Sequence, residues 1–295
     1  HTYAAAVHAL CRCGDWRGAE AALARADAEG LLRRGAGAIS GVMCRTAMLR
    51  GYCEVARDMI KARALLARME KEPKVVSRPN ARTANTFLRG CLHVGAVDDA
   101  EALLTRMEEE WSMDAEWRDG HGGAPDASSY ETVVTLLCQA LRHADARQVA
   151  QRGLKRLGPS PGSAAMFVAV ARAGAAQGDA DAATSAVGRA RSLLEGETTG
   201  PKSKKAKRKA AEAGGGSDVV GSGGKRAMER HETGYEDEDG VGSGASSGAR
   251  KRSLEVFQTH RKAELLAELK EIESSVRKGL PIDLSVMWAR TLSFE

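Results

Sequence analysis

Apolar residues recur along this chain at i, i+3, i+4 and i+7, the spacing that lines one face of an α-helix. The stripe reads Ala19-Ala22-Leu23-Ala26, then Ala62-Leu65-Leu66-Met69, then Ala100-Leu103-Leu104-Met107. Fainter copies follow at Ala146-Val149-Ala150 and Ala183-Ala186-Val187-Ala190. The leading alanines stand 43, 38, 46 and 37 residues apart, so the pattern is a repeat and not a single long helix. A second helix is predicted before each stripe, over Thr2–Cys13, Thr46–Val55, Thr83–Val94, Tyr130–Ala140 and roughly Ala164–Ala175.

Punctuation between these segments supports the same division. Gly14 and Gly95 fall just after first helices, where a C-terminal cap favours positive φ. Asp15 and Asp98 fall where an acidic side chain favours the start of the next helix. Pro79-Asn80 and Pro125-Asp126 mark links between units. Each unit therefore reads helix, turn, helix. One such pair cannot cover its own apolar face, whereas stacked neighbours bury a continuous core. Long links are expected at 31–45 and 111–124.

Composition sharpens the fold class. Hydrophobic residues make up 43% of the 295 residues but aromatics only 4%, with Ala and Leu carrying the apolar content. That mixture suits helices and argues against a β-sandwich. The net charge of +5 is mildly basic and compatible with a nucleic-acid partner. No apolar run reaches the length of a membrane span. The six cysteines form no C-x-x-C pair and no zinc-ligand spacing with histidine, so reduced structural thiols are expected.

The units resemble pentatricopeptide repeats. The first reads Thr2-Tyr3-Ala4, Leu10-Cys11, Gly14, Ala19 and Gly30. The second reads Gly51-Tyr52-Cys53, Ala62, Met69 and Pro79-Asn80. The third reads Thr83-Ala84-Asn85, Gly90-Cys91, Gly95, Ala100, Met107 and Pro125-Asp126, the most specific match. The fourth keeps Ser129-Tyr130-Glu131, Cys138 and Ala146, and the fifth little beyond Gly178 and Ala183. Cys11, Cys53 and Cys138 share one repeat position. The tetratricopeptide class pairs helices at a similar period, but its W-x-x-L-G-x-x-Y signature does not occur here.

The resemblance implies an all-α, right-handed α-solenoid over residues 1–194. It also implies single-stranded RNA as partner, one base per repeat, read by two or three side chains. By its code the pair Thr46 with Asn80 in the second unit resembles an adenine reader. Asn85 with Asp126 in the third resembles a uracil reader, and Arg82 takes the position that packs against the base. Ala4 and Glu131 hold the corresponding place in the first and fourth units, and neither is a usual specifier. No cofactor or metal is implied. The family's habit places such proteins in the mitochondrion or chloroplast.

Residues 195–252 change character. Gly, Ser and charged residues dominate, which predicts a disordered linker. It holds a basic run, Lys202 to Lys209, and an acidic run, Glu236 to Asp239. The basic run offers attraction to RNA phosphates or a nuclear import signal. Residues 253–295 read as one amphipathic helix, Leu254–Arg277, and the start of a further domain with Trp288 and Phe294 as core candidates. Leu265, Leu269, Ile272 and Val276 share a face that would suit a protein partner, and Glu273 is spaced to pair with Arg277. With His1 as its first residue, the chain reads as a piece of a longer protein.

No G-x-G-x-x-G, P-loop, G-x-S-x-G or H-E-x-x-H motif occurs. The chain as given is thus expected to bind and not to catalyse. Two alternatives stay open at this point. One is the RNA-recognition arm of a fusion enzyme carrying a tRNA methyltransferase or nuclease domain. The other is a protein-binding helical scaffold.

Overall fold

The computed structural model describes residues 2–30, 36–72, 78–113, 122–195 and 247–279. Every element among them is helical. Helices α1 (Thr2–Arg12) and α2 (Trp16–Ala28) form the first unit, and α3 (Ala36–Arg50) and α4 (Met59–Glu70) the second. Then come α5 (Ala81–Val94) with α6 (Val97–Arg106), α7 (Ala127–Gln139) with α8 (His143–Leu157), and α9 (Pro161–Ala176) with α10 (Ala180–Glu195). Helix α11 (Ser247–Lys278) closes the described chain. Single π-turns extend α3 (Gly51–Ala56) and α6 (Met107–Trp111).

Stacking follows one rule. Each odd-numbered helix packs on the next odd-numbered helix and on the even-numbered helix of the unit before it. The result is an all-α solenoid. The apolar stripes face inward: Ala19, Ala62, Ala100, Ala146 and Ala183 are all buried, as are Leu23, Leu66, Leu104, Ala150 and Val187. Alanine at the head of each stripe leaves room for the neighbouring helix to approach.

The approach is closest between first helices. A β-carbon on Gly51 would lie 2.5 Å from the Cys11 sulfur, and one on Gly90 would lie 2.5 Å from the Cys53 sulfur. Glycine in one unit thus receives cysteine from the unit before it, and the recurring cysteines are packing residues. All six thiols are free, and only Cys13 is exposed. Burial pushes the Cys11 thiol up to about 11 and those of Cys53 and Cys138 up to about 12, so they stay protonated and unreactive.

The turns within units behave as the glycines suggest. Gly14 and Gly95 have φ of 76° and 74°. At the same place in the second and fourth units stand Arg57 and Leu141, at φ of 53° and 61°, in a conformation that side chains with a β-carbon adopt at a cost. Asp15 caps α2 by accepting a bond from the Gly18 N–H, and Asp98 lies in the first turn of α6. Ion pairs join second helices across unit borders: Glu20 with Lys61 at 2.8 Å, Arg63 with Asp99 at 3.3 Å, and Glu101 with Arg142 at 2.7 Å.

Four expectations are corrected. Residues 36–45 are not link but the first turns of α3; the burial of Val42, Cys44 and Arg45 overrides the low helix propensity of Gly37 and Gly41. Helix α11 starts at Ser247, ahead of Leu254. Glu273 pairs with Arg191 of α10 at 2.9 Å and not with Arg277, because α11 lies against the array. For the same reason, its apolar face is not free for a protein partner. Leu265, Leu269 and Ile272 are 2%, 0% and 3% exposed, packed against α9 and α10. Residues 196–246, with their basic and acidic runs, and 280–295, with Trp288 and Phe294, lie outside the described residues. No helix among the described residues is long and apolar enough to cross a membrane.

Candidate nucleic-acid interface

Three successive first helices open in the same way. Asn80 caps α5, Asp126 caps α7 and Ser160 caps α9, each side chain accepting from the backbone N–H three residues on. That third residue is always a hydroxyl: Thr83, Ser129 and Ser163. The motif satisfies orphan N–H groups at the helix start. It also places a buried hydroxyl beside the preceding unit.

Through these hydroxyls the sequence-assigned pairs come together. Thr46 Oγ1 lies 2.8 Å from Thr83 Oγ1, and Thr83 Oγ1 donates to Asn80 Oδ1 at 3.1 Å. A hydroxyl has one proton, so Thr46 must be the donor to Thr83. The chain Thr46–Thr83–Asn80 therefore runs in one direction across the border of units two and three. One unit further, Asn85 Nδ2 donates to both Asp126 oxygens at 3.1 Å. Ser129 Oγ, 2.7 Å from Asn85 Oδ1, donates to it and accepts from the Asp126 N–H at 3.2 Å. A carboxylate only accepts, so the Asn85 amide nitrogen must face Asp126; the orientation is fixed by chemistry.

Exposure divides the pairs. Thr46, Asn80 and Asp126 are half-buried, whereas Asn85 is 1% exposed. In the free chain Asn85 is thus a positioning group that holds Asp126, and Asp126 is the member that solvent reaches. Arg82 is exposed three residues before Asn85, its guanidinium clear of the core. Met43 stands three residues before Thr46 in the same register and is 41% exposed, an apolar side chain at the place Arg82 takes in the next unit. Sequence reading missed Met43, because residues 31–45 were expected to be link and not the start of α3. Its signal was the register alone.

The other two assigned positions differ. Ala4 is partly buried against the core and offers no polar group. Glu131 is held by Arg261 of α11 at 2.7 Å. Burial raises the Glu131 carboxyl above its ordinary range, opposed by the guanidiniums of Arg261 and Arg172. No group of three His, Cys, Asp or Glu side chains among the described residues could hold a metal ion.

Known proteins resemble part of this chain in sequence. The repeat described as PPR repeat matches residues 82–111, which span α5, α6 and the turn at Trp111. A pentatricopeptide repeat-containing protein of Arabidopsis thaliana is 30% identical over 108 residues, which is 37% of this chain and 13% of that protein. The chain thus spans a small part of the relative it matches. With the helix pairs, the cap motif and the glycine turns in place, the repeat match identifies one unit of the array: the solenoid carries a pentatricopeptide repeat at residues 82–111.

Proposed function

We propose that the array binds single-stranded RNA sequence-selectively, with units two and three each reading one base. The observation that carries this reading is the recurrence of one polar chain at two unit borders. Thr46–Thr83–Asn80 and Asn85–Asp126 with Ser129 lie at equivalent places, a unit apart. Short amide and carboxylate groups held this firmly present fixed donors and acceptors to a base edge. Exposed Arg82 and Met43 flank them with a planar cation and an apolar side chain, both suited to the face of an unpaired base.

Following the family's code, Thr46 with Asn80 selects adenine and Asn85 with Asp126 selects uracil. The role is that of a binding module in organellar RNA processing, stability or translation, in a mitochondrion or chloroplast, as the plant relative favours. Filter binding of short single-stranded RNAs containing adenine-uracil tests it. Affinity should fall steeply between about 50 and 200 mM salt, since phosphate contacts release counterions. Affinity that is independent of salt, or equal for duplex RNA, would contradict the reading.

A further inference from the structure

Helix α11 packs on α9 and α10 as α9 packs on α7 and α8. It therefore stands where the first helix of a sixth unit would stand. Its 32 residues exceed the 16 of α9. Arg261, near its middle, reaches past the fifth unit to Glu131 in the fourth. Glu131 occupies the place in α7 that Asn85 occupies in α5: each is the fifth residue after its cap, Asp126 or Asn80. Two further ion pairs hold α11 to the array, both C-terminal to Arg261. Arg172 of α9 bonds Glu268 of α11, and Arg191 of α10 bonds Glu273. Leu265, between Arg261 and Glu268 on the same face, is buried.

We infer that Arg261 is a specificity-determining residue that silences the fourth unit, by occupying the carboxylate that would otherwise read a base there. This rests on the RNA-reading function proposed above and sets where its readable track ends. A carboxylate at a reading position accepts hydrogen bonds from N–H groups on the base edge; guanine presents two side by side, at N1 and N2, whereas adenine, cytosine and uracil each present one such group. Paired to Arg261, Glu131 has a guanidinium between it and any base. Freed, it becomes a third reader next to the Asn85–Asp126 pair.

The test uses the whole chain and fluorescent single-stranded RNAs with an adenine-uracil core, the base on each flank set in turn to A, C, G and U. In the wild-type chain the four bases should bind within about twofold at both flanks. In Arg261→Ala, guanine at one flank should bind about tenfold more tightly than the other three bases, the size of one added hydrogen bond to a charged group. Arg261→Ala combined with Glu131→Ala should be flat again. Hydrogen exchange over residues 259–279 checks that α11 stays docked through Leu265, Leu269 and Ile272. If Arg261→Ala adds no discrimination that depends on Glu131, docked or not, the inference is overturned. If the wild-type chain binds none of these RNAs, the reading beneath it fails first.

Discussion

Gly90 faces Cys53 so closely that a β-carbon on the glycine would lie 2.5 Å from the thiol sulfur and 3.3 Å from the cysteine Cα. The same fit joins Gly51 to Cys11 one unit earlier. Spacing between first helices is thus set by the smallest residue meeting a small polarisable one. Gly90→Ala should destabilise the array by about 1–3 kcal/mol despite alanine's better helix propensity, because the backbone of α3 must shift. Urea unfolding followed by circular dichroism measures it. An increase in stability would show that the two helices have slack.

The left-handed turn at Leu141 gives an opposite prediction. Its φ of 61° is one that Gly95 adopts freely in the preceding unit, and its side chain is 70% exposed, so little packing is lost on removal. Leu141→Gly should stabilise by about 0.5–1 kcal/mol, the relief of left-handed strain partly offset by the greater freedom of the unfolded chain. The thermal midpoint reads the change, and a fall would mean the side chain contributes contacts that outweigh the strain.

Arg45 is 1% exposed, lies 3.0 Å from Glu72 and 3.6 Å from Asp27, and its Nε and Nη1 find no acceptor among the described residues. A buried guanidinium with two idle nitrogens holds its place by volume as much as by charge. Arg45→Ala should cost about 2–4 kcal/mol, and Arg45→Met at least about 1 kcal/mol less. Equal losses in chemical denaturation would assign the stabilisation to the ion pairs.

The buried thiols make stability depend on alkaline pH. Cys53 and Cys138 are raised from 9.0 to about 12, and Cys11 to about 11, by burial. Their folded values exceed the unfolded ones. Their contribution is therefore fully present below about pH 9 and is lost as pH rises toward 11 to 12. Tyr52 and Tyr130, raised by burial and by Glu20 and Glu108, push the same way. The urea midpoint should be level from pH 7 to 9 and then decline. A midpoint that holds beyond pH 11 would contradict this, as would a maleimide label at neutral pH that modified Cys53 as fast as exposed Cys13.

Local signals made much of this legible in the sequence. The stripes at Ala62-Leu65-Leu66-Met69 and Ala100-Leu103-Leu104-Met107 are buried as their period requires, and Asn80 and Asp126 are caps, Asp126 also bonded to Asn85 and Asn80 linked to Thr46 through Thr83. What escaped was non-local. The first turns of α3 carry two glycines and form because Val42 and Cys44 are buried by neighbours. Glu273 has a helix-spaced partner in Arg277, yet Arg191 lies closer once α11 docks. The Arg261–Glu131 contact joins residues 130 positions apart, and no periodicity announces it. Asn85 was legible as a polar candidate but not as a buried one, since its cover comes from Ser129 and Asp126.

The central claim is that these cross-unit polar pairs read bases. Converting the third unit's pair into the second unit's, with Asn85→Thr and Asp126→Asn together, tests it most directly. Binding is measured to matched single-stranded RNAs that carry uracil or adenine at the base assigned to unit three. The account predicts that the wild-type chain prefers uracil and the double variant adenine, each by about tenfold, with total affinity for the preferred RNA retained. An unchanged preference, in a variant that remains folded, would contradict it.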